Sequence, residues 1–330
     1  MTTDLVEWLS SADNPPVRYL TARDLRRPKP TSAKVKQLRA ALWTWAPLQR
    51  IVALQREDGG FGKPKKPADA RATLWALCLL QRCGLDVGDE PVARAVEYLS
   101  SHHLGAGALS YTSGGSGVLP CYQGVACAAL IKLGALDSEI VQSSLRWLVA
   151  HQRFDHKATR AGGEQTWPYK APANYGCWQS VSCYHGVAGT FRALAAVPPK
   201  KRSADMRRCL KHALEYLAIH HLYKRSKGDR PLFRHMTEPS LIGDYRSNLL
   251  DMLQGIADAD PKLIRQPWVR AAADDMEHST DGGRVTLTKN YGRALTSPIP
   301  LEPVGQPSRF LTLQWLIIRS RLAAAAPTSA

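Results

Sequence analysis

Two short stretches of the sequence place reactive side chains at the start of an apolar run. Cys-Tyr-His-Gly at 183–186 and Cys-Tyr-Gln-Gly at 121–124 are each followed by Val-Ala. A thiol, a phenol and an imidazole can together supply a nucleophile and an acid/base pair. His185 stands where the sister stretch has Gln123, and its ordinary pKa is the one nearest neutrality. The repeat therefore predicts a framework of similar helices, with a reactive site at their starts.

The apolar spacing around these stretches is typical of helices rather than strands. It predicts helices over 68–84, 120–134, 180–197 and 241–257, each followed by a second helix. The first helices of the pairs align at similar positions, which are Arg71, Cys121, Cys183 and Asp244. We therefore expect a helical-repeat protein without an extended sheet.

Composition limits the protein class. The 330 residues carry a net charge of +16, are 44% hydrophobic and contain seven cysteines. No apolar run approaches the ~20 residues of a membrane span, and the N-terminus lacks a signal-peptide pattern. These features predict a cytoplasmic protein with reduced thiols and no membrane span. The length is compatible with one or two domains; because the helix repeat runs along nearly the whole chain, we expect a single domain over 1–325 with a disordered tail at 326–330.

A family resemblance rests on a glycine-rich turn. Gln55, then Asp-Gly-Gly-Phe at 58–61, then an alanine-rich helix resemble the repeat of terpenoid cyclases and protein prenyltransferases. Segments 199–202, 220–226 and 308–314 resemble bacterial squalene-cyclase-like proteins. The resemblance implies an all-α fold, the α/α toroid, with about five to six hairpins of inner and outer helices.

The sequence departs from that family in its catalytic motifs. The acid motif Asp-x-Asp-Asp and the diphosphate motif Asp-Asp-x-x-Asp are both absent. Cys121-Tyr122 resembles the Cys-Tyr of the prenyltransferase zinc site, but Leu119 and Val181 stand where the family has Asp and His. Zinc can also be argued from Cys121, Cys177, Cys183 and His185, but Cys183 and His185 are two apart and would face different sides of a helix. We predict no metal and no cofactor.

The starts of the inner helices would meet at one end of a central cavity in a toroid. The predicted catalytic residues are Cys183, Tyr184, His185, Cys121, Tyr122 and Asp244. The predicted substrate-binding residues are Arg71, Trp75, Trp167, Tyr175, Trp178, Tyr245 and Arg246. Tyr184 and His185 would form the acid/base pair. The structural alternatives are small packing residues for the cysteines, core aromatics for the tyrosines, and a helix N-cap for Asp244.

These residues predict an enzyme acting on a small, largely apolar organic substrate by cyclase, isomerase or lyase chemistry. One alternative is a basic helical-repeat protein that binds nucleic acid, which is disfavoured because Lys and Arg cluster in loops; steeply salt-dependent binding would support it. The other alternative is a non-catalytic ligand-binding scaffold. Mutation of Cys183 and His185 without loss of function would favour it. The oligomeric state stays open.

Overall fold

Helices make up nearly all the regular structure of this computed structural model, which describes residues 3–11, 13–25, 32–62, 69–105, 108–110, 118–156, 182–291 and 300–326. The helices are α1 (Thr3–Leu9), α2 (Pro15–Leu20), α3 (Ala33–Ala40), α4 (Ala46–Val52), α5 (Asp69–Arg82), α6 (Glu90–His103), α7 (Pro120–Lys132), α8 (Glu139–His151), α9 (Tyr184–Ala196), α10 (Ala204–Ile219), α11 (Leu249–Ala259), α12 (Pro267–His278) and α13 (Arg309–Ala323). A π-helical segment, Thr21–Leu25, continues α2. A two-residue antiparallel pair, β1 (Leu104–Gly105) and β2 (Ala108–Leu109), follows α6.

The helices form an inner and an outer layer. Four pairs are consecutive and share an interface: α5 with α6, α7 with α8, α9 with α10, and α11 with α12. The first members also contact one another in the order α5, α7, α9, α11, and α13 packs on α11. The π-helical segment packs on α13, and Tyr19 and Leu20 of α2 lie against Gly84 at the end of α5. This order of contacts closes a ring of inner helices.

The tightest contact in the ring joins α7 to α9. A Cβ atom added at Gly124 would lie 2.0 Å from the carbonyl carbon of Gly189, and one added at Gly189 would lie 2.9 Å from the carbonyl oxygen of Cys121. The two backbones therefore approach as closely as only glycine permits.

The structure confirms the all-α toroidal arrangement for the described residues. One helix prediction is wrong: the helix expected from residue 241 begins at Leu249, and its N-cap is Asn248, whose side chain accepts from the backbone N–H of Asp251. Asp244 is therefore not a helix cap. None of the described helices combines the length and apolar composition that crossing a bilayer requires.

Candidate functional site

A cavity of about 280 Å³ lies inside the ring. Its described lining comes from α2 and its π-helical extension, α5, α7, α9, α11, α13 and the segment before α11. Apolar side chains on this wall include Leu74, Ala126, Phe310, Leu313 and Ile317. The described lining also contains six cationic side chains and three carboxylates. The cavity therefore has both an apolar wall and a net positive charge.

Asp244 is the centre of a hydrogen-bond network at the cavity wall. Its side chain is 4% exposed, and its φ of 57° places it in the left-handed region. One carboxylate oxygen accepts from the indole N–H of Trp75 at 3.1 Å, and the other accepts from Arg71 at 3.1 Å. The hydroxyl of Tyr122 lies 3.2 Å from both oxygens. Three predicted residues from α5 and α7 thus converge on one predicted carboxylate.

Two arginines hold the aromatic rings around this carboxylate. The Arg71 guanidinium lies over the ring of Trp75 at 5.0 Å and over that of Tyr122 at 5.6 Å. The guanidinium of Arg246 lies 4.2 Å from the ring centre of Tyr245 and 3.6 Å from Asp244. Cation–π contacts of this kind contribute about 0.5–2 kcal/mol each. Each side chain of the network is therefore fixed by more than one contact.

Tyr122 is a neutral hydrogen-bond donor in this network. Burial, and then the neighbouring Asp244, raise the pKa of Tyr122 well above its usual range. Its ring also contacts Tyr245 with 5.6 Å between ring centres. Tyr122 thus connects the carboxylate, through Tyr245, to a second aromatic group that consists of Tyr245, His185, Phe233 and His235.

His185 belongs to this second group. Its ring stacks on Phe233 at 4.7 Å and lies 5.0 Å from His235 and 5.4 Å from Tyr245. Its buried Nδ1 has no hydrogen-bond partner among the described residues. Burial, with smaller effects of His235 and Arg246, lowers the pKa of His185 to about 3. His185 is therefore neutral at pH 7 and does not have the near-neutral pKa that the sequence suggests.

Tyr184 points away from the cavity. It is buried, its hydroxyl donates to the carbonyl of Leu222, and its ring packs against Tyr216 and His220 between α9 and α10. Cys121 is buried on α7, and the half-buried Cys183 is the N-cap residue of α9. None of the three belongs to the described cavity lining. The described geometry therefore does not place Tyr184 and His185 as an acid/base pair at this cavity.

Several lining residues were not predicted from the sequence, chiefly Arg82, Arg192, Asp251 and Gln314. A signal for Arg82 exists, because Arg71, Trp75, Cys78 and Arg82 are spaced at i, i+4, i+7 and i+11 along one helix face.

The predicted residues Trp167, Tyr175 and Trp178, together with Cys177, lie outside the described residues. Within the described ranges, no group of three or more His, Cys, Asp or Glu side chains is arranged to hold a metal ion.

Comparison with known proteins yields structural neighbours only. No family model matches the chain, and no curated protein does. A solved protein from Actinoplanes is 17% identical with a TM-score of 0.44, covering 98% of this chain and 97% of its own. The type II terpene cyclase MstE from Scytonema, solved in complex with geranylgeranyl dihydroxybenzoate, is 16% identical with a TM-score of 0.40, covering 98% and 99%. At these values the neighbours assign neither a family nor an activity to this chain.

Proposed function

We propose that the chain is an enzyme that binds a small organic substrate with a largely apolar body in the central cavity. The proposed reaction is proton transfer leading to cyclisation, isomerisation or elimination, without a diphosphate leaving group. One observation carries this proposal: Asp244 and Tyr122 both line the cavity, and the carboxylate of one lies 3.2 Å from the hydroxyl of the other. A carboxylate and a phenol at one cavity wall are a suitable base and acid.

The proposed roles follow from the chemistry of each group. Arg71 and Trp75 orient Asp244, which accepts a proton from the bound substrate. Tyr122, kept neutral by its raised pKa, turns its hydroxyl toward the substrate and donates a proton or a hydrogen bond to the atom where negative charge develops. The proton then returns from Asp244 to Tyr122 through their existing hydrogen bond, which restores the starting state.

The cavity size suits a small substrate. Its volume of about 280 Å³ lies at the lower end of the ~300–1,000 Å³ that is usual for ligand pockets. The apolar lining from α13, chiefly Phe310, Leu313 and Ile317, would cover the body of the substrate. Burying that body would supply most of the binding free energy, while the polar wall would orient it.

The remaining predicted residues keep secondary roles in this proposal. His185 provides a neutral imidazole that contacts the ring of Tyr245 and does not itself belong to the described cavity lining. Cys121 and Cys183 stay candidates for packing residues or for a second acid near the same aromatic group. Tyr184 has no role in this reaction, because its hydroxyl is engaged with a backbone carbonyl.

An untargeted turnover assay tests the proposal. Purified protein is incubated with the small-molecule extract of the organism that encodes it, and compounds are followed by liquid chromatography and mass spectrometry. We expect at least one compound to be converted into a product of equal mass, or of a mass reduced by a small leaving group. Asp244→Asn and Tyr122→Phe, which preserve shape, should slow this conversion by about 10²–10⁴-fold.

The controls separate catalysis from binding. Asp137→Asn changes an exposed carboxylate on the connection after α7 and should leave conversion unchanged. Native mass spectrometry of the protein after incubation detects bound compounds, and a compound that binds but is never converted would favour the non-catalytic scaffold. Full conversion by well-folded Asp244→Asn protein would refute the assigned roles.

A further inference from the structure

The cations of the cavity wall are not equivalent. Of the six in the described lining, five have a carboxylate oxygen within 4.0 Å. These pairs are Arg23–Asp24, Arg71–Asp244, Lys132–Asp258, Arg192–Asp251 and Arg246–Asp244. Arg82 is the exception, because no described carboxylate lies within ion-pair distance of its guanidinium.

The partners of Arg82 are all neutral. Its Nε donates to the carbonyl of Leu241 at 2.7 Å, one terminal nitrogen donates to the side-chain oxygen of Gln314 at 3.0 Å, and the other makes a long contact of 3.4 Å to the carbonyl of Ser240. A guanidinium has five N–H groups. Two of them are therefore left over on a side chain that lines the cavity.

The side chain of Arg82 is partly buried, and its charge persists there. Burial lowers the pKa of the Arg82 guanidinium, but arginine in proteins stays protonated. A buried charge is costly unless an opposite charge compensates it. Asp251 compensates this charge only from beyond ion-pair distance, because one of its oxygens pairs with Arg192 and the other accepts the backbone N–H of Asn248.

We infer that Arg82 binds a carboxylate group of the substrate, so that the ligand of this cavity is an organic acid with an apolar body. This inference rests on the proposed function of the same cavity. The two free N–H groups match the paired acceptor oxygens of a carboxylate. Arg82 lies three turns beyond Arg71 on α5, which places their Cα atoms about 16 Å apart along the helix axis. The carboxylate of the substrate would thus lie at a different part of the wall from Asp244.

Matched pairs of ligands test the inference. Isothermal titration measures binding of benzoate and benzamide, 2-naphthoate and 2-naphthamide, and decanoate and decanamide at pH 7. For the pair whose body fits best, we expect the acid to bind at least tenfold more tightly than the amide. Arg82→Gln should reduce this preference to less than twofold while changing amide affinity less than threefold.

A second variant keeps Arg82 and neutralises its charge with a neighbouring carboxylate. Gln314→Glu places a carboxylate beside the same guanidinium nitrogen and keeps the other bonds of Arg82. It should also abolish the acid preference, so the test remains decisive if Arg82→Gln fails to fold. Arg23→Gln is the matched control, because this lining cation is already paired with Asp24; it should retain the preference.

The outcomes are distinguishable. Equal binding of acid and amide by the parent protein would overturn the carboxylate site and leave the proposed function standing. An acid preference that survives both Arg82→Gln and Gln314→Glu would likewise overturn it, since the general positive potential would then be the cause. Failure of every acid and every amide to bind would count against the proposed cavity function as well.

Discussion

The hydroxyl of Tyr122 lies 3.2 Å from both carboxylate oxygens of Asp244, although the two residues are 122 positions apart in the chain. Tyr122 lies in the first turn of α7, whereas Asp244 lies in the segment before α11 with a φ of 57°. The contact joins an inner helix to a loop across the cavity wall. Changes on either side should therefore affect both the stability of the ring and its chemistry.

Asp244→Ala should lower the free energy of unfolding by about 3 kcal/mol. Part of this, about 1–2 kcal/mol, is the cost of a left-handed conformation for alanine. The rest comes from leaving Arg71 and Arg246 without their carboxylate, reduced because the Arg71 side chain is 32% exposed. Urea unfolding of Asp244→Ala, Asp244→Asn and Asp137→Ala measures these two contributions to the free energy of unfolding.

Asparagine tolerates the left-handed region, so Asp244→Asn should lose only the charge-dependent part. Asp137 is 82% exposed, and its replacement by alanine should cost less than about 0.5 kcal/mol. Equal losses for Asp244→Ala and Asp244→Asn would show that the backbone conformation contributes nothing.

Gly124→Ala should prevent stable folding or cost more than about 4 kcal/mol. The new methyl group would lie 2.0 Å from the backbone of Gly189, and neither α7 nor α9 can move without opening the ring. Circular dichroism and thermal melting check the result. Gly228→Ala is the control, since nothing lies within 4 Å of its Cβ position; its φ of +88° should cost only about 1–2 kcal/mol. A Tm for Gly124→Ala within a few degrees of the parent would contradict the close packing.

Arg202→Lys should lower the free energy of unfolding by about 2–3 kcal/mol. The buried guanidinium donates to four backbone carbonyls at the C-terminal ends of α9 and α11, those of Val197, Ala195, Ala259 and Asp258. Lysine cannot reproduce this fork of donors, so carbonyls would be left unpaired. Lys201→Gln changes an exposed neighbour, paired only with the exposed Asp137, and should alter the urea midpoint little. A similar effect of both changes would argue against the buried bonding of Arg202.

Stability should fall as the pH falls from 6.5 toward 4, in part because of His185 and His235. Burial lowers their pKa values to about 3 and about 4, from 6.5. Between those values the unfolded chain binds more protons than the folded chain, so acid favours unfolding, by up to about 1.4 kcal/mol per pH unit for each proton.

The measurement is a comparison of urea midpoints at pH 7.0 and pH 5.0. His185→Gln and His235→Gln should each reduce the loss of stability on acidification. His212→Gln, which changes an exposed histidine of α10, should not change it. An undiminished loss in both buried variants would mean that other groups account for the acid sensitivity.

Purified protein should contain no stoichiometric zinc. The prediction rests on the sequence resemblance described above, in which Leu119 and Val181 stand where a prenyltransferase-like zinc site would need Asp and His. Elemental analysis should give far less than one zinc per chain. About one zinc per chain, lost in Cys121→Ala, would overturn this prediction.

The helical framework could be predicted from local signals in the sequence. Apolar periodicity, together with proline and glycine at the helix ends, indicated α5, α7 and α9 to within a few residues, because these signals act over one or two turns. The same signals failed before α11. The capping box of Asn248 and Asp251 starts that helix, whereas the alignment of Asp244 with Cys121 and Cys183 placed the start several residues too early.

The matching Cys-Tyr stretches show what the sequence alone determined and what it did not. It determined that both stretches begin helices of one ring. Only the tertiary structure decided their register: α7 begins one residue before Cys121, whereas α9 begins one residue after Cys183. Tertiary packing also decided the environment of each tyrosine: Tyr122 contacts Asp244 at the cavity wall, whereas Tyr184 packs between α9 and α10.

The same distinction applies to the charged groups of the cavity. The spacing of Arg71 and Arg82 placed them on one face of α5, but their partners come from segments more than 150 positions away. Whether a guanidinium meets a carboxylate, as Arg71 does, or only neutral acceptors, as Arg82 does, depends on how the ring closes. Local sequence specifies helices through short-range bonding, whereas the pairing of buried charges is a long-range property that the packed ring alone fixes.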